Sequence, residues 1–218
     1  MLNDDEQAAF LTSIERVRQK AANHLGSTLN VSTAVNFAAS LQRSVDKVVQ
    51  QASGDPKPEC KPGCAWCCSL FVEAMEPEIF LIAREIRKRE AGQVQAMVEA
   101  LRIRGAATRD DAKNLHRRDC AFLNNRLCSI YEVRPAVCRK AHSLSVESCR
   151  SFAPEIPQKL EILLDTEALM KGAADAYRQL KLQASAHELC NAVLLALTDD
   201  TAEARWVNGE TVFPRDGA

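Results

Sequence analysis

Eight of the nine cysteines in this 218-residue chain fall into two groups, Cys60, Cys64, Cys67 and Cys68 in one and Cys120, Cys128, Cys138 and Cys149 in the other. Thiolate sulfur is a soft donor that selects zinc or iron-sulfur clusters, and ligands arrive closely spaced because one turn can aim two sulfurs at one ion. All eight are therefore candidate metal ligands, either as two four-cysteine sites or as one cluster with additional thiols. An iron-sulfur cluster is the preferred cofactor and zinc the alternative. In Cys60-Lys61-Pro62-Gly63-Cys64-Ala65-Trp66-Cys67-Cys68, proline and glycine permit the sharp turn that lets Cys60, Cys64 and Cys67 converge, while the adjacent Cys68 points elsewhere unless the backbone twists strongly, and one of the last pair is available to a second site. In the second group, Asn124-Asn125-Arg126 reads as the tip of a tight β-hairpin that brings Cys120 and Cys128 together, and Pro135 opens a helical turn presenting Cys138. His142 lies between Cys138 and Cys149, but eight thiols suffice and a single histidine ordinarily fills a hydrogen-bonding role. Cys190 is the odd cysteine and sits on an apolar helical stripe, where it reads as a packed hydrophobe.

The segment Met1-Leu2-Asn3-Asp4-Asp5-Glu6 has no basic n-region and no apolar h-region follows it, so the chain is expected in the cytoplasm. Disulfides are rare in that reducing compartment, which favours metal binding over a disulfide framework. No apolar run reaches the length that spans a bilayer. With 28 basic and 29 acidic residues the net charge is -1, and no polyanion partner is implied by the chain as a whole. Lys113 to Arg150 carries eight basic against three acidic residues, a local excess of five. These groups are read as offsetting metal-bound thiolates rather than as a nucleic-acid patch, because no aromatic platform is interleaved with them.

The elements that must position the cysteines are mainly α: helical N- and C-terminal segments surround an irregular cysteine-rich core with a short β-hairpin. Three regions are expected within one compact unit: an N-terminal helical hairpin over 1–52, a cysteine-cluster region over 53–152 and a helical region over 153–218. Val31, Val35, Ala38, Leu41, Val45 and Val48 repeat at helical spacing, as do Phe10, Leu11, Ile14, Val17, Ala21 and Leu25 before Gly26-Ser27-Thr28. Ser69 to Glu73 suggests a short strand. Pro77 and Glu78 suit the first turn of a helix whose core stripe is Ile79, Ile82 and Ile86, with Arg84, Arg87, Lys88 and Arg89 on its solvated face. A helix after Gly92 weakens around Gly105 into a polar stretch, and Leu160 to Trp206 is again helical, with Asp199-Asp200-Thr201 interrupting it.

Cys60-x3-Cys64-x2-Cys67-Cys68, then Cys120-x-Phe122-Leu123, then Cys128-x-Ile130-Tyr131-Glu132-x-Arg134-Pro135-x-x-Cys138-Arg139, resembles the YkgJ-like cysteine-cluster family, a zinc- or iron-chelating domain family. The resemblance spans roughly residues 58 to 150. It implies metal binding, and the family is itself similar to a flagellin lysine methylase that carries an iron-sulfur cluster. Within the motif, Arg134 and Arg139 are read as donors supporting the sulfurs, Tyr131 as a core aromatic, and Glu132 with Arg134 as a local ion pair.

Three function classes follow. A metal- or cluster-binding module in metal handling, redox sensing or partner modification is the most economical. A cluster-dependent enzyme is second: Cys60-x3-Cys64-x2-Cys67 has the spacing of radical SAM enzymes, but no barrel pattern and no glycine-rich loop for a methyl donor accompany it. The third is a structural zinc scaffold whose flanking helices bind a protein partner.

Overall fold

The computed structural model describes residues 2–52, 54–110 and 118–213. Helix α1 (Asp4–Gly26) starts in a capping box, in which Asn3 and Glu6 each accept the other's backbone N–H. Asn30 caps α2 (Val31–Gln51) by accepting from the Thr33 N–H. The expected pairing of these two helices with each other gives way to a different arrangement. Helix α1 lies chiefly along α7 (Leu160–Gln179), while α2 packs on α3 (Glu76–Arg87), α5 (Ala136–Lys140) and α7. The reason is the small-residue face of α7, where Ala168, Gly172, Ala173 and Ala176 are buried and let α1 approach closely.

One apolar cluster draws on α1, α2, α3, α7, α4 (Ala91–Asp110), α8 (Leu189–Thr198) and α9 (Ala202–Val207), with Phe122 and Ile130 from the cysteine region. Trp206 stands edge-on to Phe80 at 5.6 Å and to Tyr177 at 6.1 Å. Each polar tip is satisfied: the Tyr177 hydroxyl donates to the Ala34 carbonyl and the Trp206 indole to that of Gln183. The Ile79, Ile82 and Ile86 stripe is fully buried as expected. The arginines of that helix do more than face solvent, since Arg84 forks onto Glu203 and Arg87 donates to the Ala196 carbonyl, tying α3 to α8 and α9.

The first strand begins later than Ser69: residues Trp66–Ser69 form a 3-10 turn, and β1 (Glu73–Met75) pairs antiparallel with β4 (Ala186–Glu188), with Ala74 opposite His187. Strand β4 lies within the stretch read as continuously helical. It is held by Glu76, which is wholly buried and accepts from the Ser185 N–H and pairs with His187 Nε2 at 3.0 Å. A buried carboxylate must find such partners, and here the partners are the strand. Helix α4 also runs further than expected, through Gly105 to Asp110. Lys113 and Arg117 of the basic stretch lie outside the described residues. The interruption at Asp199-Asp200-Thr201 is present, with Asp199 accepting from the Thr201 N–H between α8 and α9.

A buried polar network docks the second cysteine segment on the helices. Glu78 accepts from the first N–H of α5, that of Ala136, at 2.7 Å and from Gln42 Nε2 of α2 at 3.1 Å. Arg139 of α5 donates to Asp46 of α2 and to the carbonyls of Glu132 and Arg134. Burial pushes the Glu78 carboxyl up, against the pull of the Ala136 N–H and of Gln42.

Two outcomes test this packing. A Cβ at residue 172 would lie 2.6 Å from Val17 Cβ and 2.7 Å from the Ile14 carbonyl oxygen, whereas one at residue 92 meets nothing within 4 Å. Gly172→Ala should therefore cost about 1–3 kcal/mol by overpacking, while Gly92→Ala should gain a few tenths to about 1 kcal/mol, both read from thermal melts. Asp46→Ala should cost about 2–3 kcal/mol by leaving Arg139 buried and unpaired, reduced from the roughly 3–5 kcal/mol of a fully buried pair because Asp46 keeps some contact with water.

Candidate metal centre

The first cysteine loop turns at Gly63, whose φ of +82° is the left-handed conformation that glycine adopts without strain. The turn closes with the Cys64 N–H on the Lys61 carbonyl, and the following 3-10 turn carries Trp66, Cys67 and Cys68. Just before the loop, Glu59 reaches across the chain. Its N–H donates to the Ser143 carbonyl at 2.9 Å and its carboxylate accepts from the Val146 N–H at 2.6 Å. That places α6 (Val146–Arg150), which carries Cys149, beside the first group, and the Ser143 N–H donates to the Cys60 sulfur.

The second group assembles around the hairpin. Strands β2 (Leu123–Asn124) and β3 (Leu127–Cys128) pair with Leu123 opposite Cys128, and the two loop residues Asn125 and Arg126 both take left-handed φ, 49° and 62°. This is the two-residue turn that matches strand twist. The Phe122 N–H donates to the Cys120 sulfur and the Ile130 N–H to the Cys128 sulfur. The Cys120 N–H donates to the Cys68 carbonyl at 2.8 Å, which joins the hairpin to the first loop. Cys138 rides on α5, docked by the network already described.

Electrostatic proximity among the thiols runs across their order in the chain. Cys60 lies within electrostatic reach of Cys64, Cys67 and Cys149. Cys68 lies within reach of Cys120, Cys128 and Cys138. The doublet sits between the two sets, with Cys67 also felt by Cys138 and donating its S–H to Cys68. Among the described residues, no three His, Cys, Asp or Glu side chains are drawn to metal-bonding distance of one point, so the sets are neighbours at electrostatic range. All nine cysteines are free thiols.

Burial pushes the thiols of Cys60, Cys128 and Cys138 above their ordinary value, and neighbouring sulfurs add to the effect. The Cys67–Cys68 hydrogen bond holds Cys67 up and Cys68 down. Cations oppose the trend: Arg134 acts on Cys67 and Cys128, Arg139 on Cys128 and Arg104 on Cys120.

The supporting residues of the motif take places other than those expected. Arg134 pairs with Asp46 at 3.4 Å, not with Glu132, and its guanidinium lies 3.7 Å from the Tyr131 ring centre. Tyr131 is exposed rather than core. No hydrogen bond from Arg134 or Arg139 to a sulfur is present among the described residues; both anchor the segment to α2 and act on the thiols through space. An aromatic does meet the basic residues, although none lies between them in sequence: Arg126 and Arg150 cover Trp66 at 5.4 and 6.0 Å. His142 is buried with both ring nitrogens engaged, Nδ1 with the Lys140 carbonyl and Nε2 accepting from the Lys159 N–H, so it fills the hydrogen-bonding role. Cys190 is buried as expected, in the core cluster against which Cys120 packs.

The donor set, eight soft sulfurs in two adjoining groups with N–H donors and cations at hand, fits zinc or iron. No curated protein and no solved structure matches the chain. Residues 59–162 match a described domain family whose name spaces its first two cysteines by two residues, where this chain has Lys61-Pro62-Gly63 and takes up the extra residue at the left-handed Gly63. The match encloses both thiol groups and ends before Cys190. That family is CxxCxxCC, described as a putative zinc- or iron-chelating domain.

Proposed function

We propose that this chain chelates zinc or iron through eight cysteine thiolates in two four-thiol sets, Cys60, Cys64, Cys67 and Cys149 in one and Cys68, Cys120, Cys128 and Cys138 in the other. What supports the reading is the doublet: Cys60 lies within electrostatic reach of Cys64, Cys67 and Cys149, and Cys68 within reach of Cys120, Cys128 and Cys138. The two sulfurs of the doublet lie side by side in one 3-10 turn, at the border between the two sets. A bound ion supplies cross-links between segments that otherwise meet through a few backbone hydrogen bonds, and such binding free energy is folding free energy. The chain's own groups prepare for thiolate charge. The N–H groups of Ser143, Phe122 and Ile130 donate to sulfur, and Arg134, Arg139 and Arg104 lie near enough to offset charge without occupying a ligand position.

Elemental analysis of the anaerobically purified protein tests the partition, and iron with acid-labile sulfide, or zinc, identifies the metal. Cys149→Ser and Cys128→Ser should each remove about half of the metal, and the double variant nearly all of it, as expected for two four-ligand sites. Loss of all metal in either single variant would replace the two sets with one shared cluster.

Metal affinity should also depend on pH with a definite sign. Burial raises the thiols of Cys60, Cys128 and Cys138 above their ordinary 9.0, so at neutral pH these sulfurs carry protons that an ion must displace. Lowering the pH should weaken chelation, and binding at pH 7 should release protons, both measurable by competition with a chromogenic chelator in weak buffer.

A further inference from the structure

The first cysteine loop, the hairpin and the end of α6 enclose a cleft of about 370 Å³, whose lining includes the apolar Trp66, Leu123 and Phe152 and the polar Asp119, Asn125 and Arg126. A cleft of that size suits a small molecule, with apolar walls for its body and a few placed polar groups for its orientation. Among the described residues four non-glycine residues take left-handed φ, and three of them, Asn125, Arg126 and Phe152, line this one cleft. Arg126, at φ 62°, holds the second loop position of the hairpin, where glycine ordinarily follows asparagine. Phe152, at φ 52°, follows α6 in a turn closed by the Ala153 N–H on the Ser148 carbonyl at 2.9 Å, again a place that glycine ordinarily takes. A side chain at such a position carries a steric cost, and costs of that kind gather where a fold presents groups to a ligand.

The two charges of the lining are opposite and do not meet. The Arg126 Nε donates to the Gly63 carbonyl at 3.3 Å, and the guanidinium carbon lies 5.4 Å from the Trp66 ring centre. No ion pair of Arg126, and no ion pair or side-chain hydrogen bond of Asp119, occurs among the described residues.

We propose that this cleft binds a free aromatic amino acid as its zwitterion, the carboxylate received by Arg126, the ammonium by Asp119 and the ring by Phe152 and Leu123. Trp66 is already covered by the guanidinium groups of Arg126 and Arg150, so it backs the carboxylate end while the ring packs on the other apolar walls. An aromatic acid without the ammonium brings its charge into a cleft that also holds Asp119, and an aromatic amine meets Arg126. Only a ligand with both charges gives each of these residues an opposite partner. A peptide bond at either end of the ligand removes one of the two charges, which singles out the free amino acid. Nothing in this assignment depends on which thiols share an ion.

The full-length protein, isotopically labelled for nitrogen NMR and supplied with zinc as a diamagnetic ion, has two tryptophan indole signals. Trp206, buried with its indole N–H on the Gln183 carbonyl, is the internal reference. Titrated L-phenylalanine should shift the Trp66 signal saturably and leave that of Trp206 in place. Phenylacetate, phenethylamine and L-alanine each lack one of the three recognised groups and should bind at least about tenfold more weakly, the scale of one charge-assisted contact at a partly wet site. Arg126→Gln should weaken L-phenylalanine by about tenfold and leave phenethylamine no weaker, and Asp119→Asn should weaken L-phenylalanine similarly and leave phenylacetate no weaker. Phe152→Gly, which suits the left-handed turn, should weaken all three ring-bearing probes alike while the thermal melt stays cooperative. Absence of a saturable Trp66 shift would overturn the proposal, as would phenylacetate or phenethylamine binding as tightly as L-phenylalanine. Equal loss of L-phenylalanine and phenethylamine in Arg126→Gln would also overturn it, because the arginine would then act through the fold and not on the carboxylate.

Discussion

A carboxylate and a guanidinium that must both leave water, Glu78 and Arg139, decide where the hairpin side of the thiol region can sit. Each is nearly inaccessible, and a buried charge is tolerated only when its hydrogen-bonding capacity is met. Glu78 meets its requirement with the Ala136 N–H and Gln42, and Arg139 with Asp46 and two carbonyls of its own segment. Both sets of partners exist only when the segment from Tyr131 to Lys140 is seated against α2 and α3. Cys138 is carried along on α5, and the hairpin with Cys120 and Cys128 is fixed to the same seat through Phe122 and Ile130 in the core. The motif's arginine and proline thus shape the scaffold before they influence any sulfur.

The electrostatics of the region follow from the same arrangement. Eight thiolates with two divalent ions carry four net negative charges, and the stretch from Lys113 to Arg150 carries a local excess of five positive ones. Part of that excess is spent elsewhere: Arg134 and Arg139 share Asp46, and Arg126 and Arg150 lie over Trp66. Guanidinium groups covering both Trp66 and Tyr131 also leave neither ring as a bare stacking platform, which is consistent with a basic surface that balances charge internally.

Much of this was legible in the sequence, for reasons that separate local from non-local information. Helical stripes with clear spacing, such as Ile79, Ile82 and Ile86, report a face that must be buried, and the hairpin tip is encoded by residues that tolerate left-handed φ. By contrast, Cys149 joins Cys60 through Glu59 hydrogen bonds to residues more than eighty positions away, and nothing local to either cysteine marks them as neighbours. Strand β4 is three residues long and owes its existence to the buried Glu76, so its own pattern is too short to read. The separation of α1 from α2 depends on small residues of α7, where only the partner helix shows why glycine is needed at 172.

The two thiol sets consequently differ in how far the fold prepares them. Cys120, Cys128 and Cys138 stand on a paired hairpin and a helix docked by buried hydrogen bonds, so most of their ordering cost is met by folding itself. Cys60, Cys64 and Cys67 stand on a loop and a single 3-10 turn, joined to the five-residue α6 by the Glu59 contacts and by Arg150 over Trp66, with Cys60 and Cys67 exposed. Gathering that set requires more of the chain's freedom to be surrendered when the ion arrives. On the proposed reading the hairpin set therefore binds the more tightly per ligand, and the loop set is the one whose occupancy follows metal supply. Since Cys67 and Cys68 are neighbours in one turn, ordering either set restricts the other, and a thiol set braced by the core is coupled through one peptide bond to a set that is not.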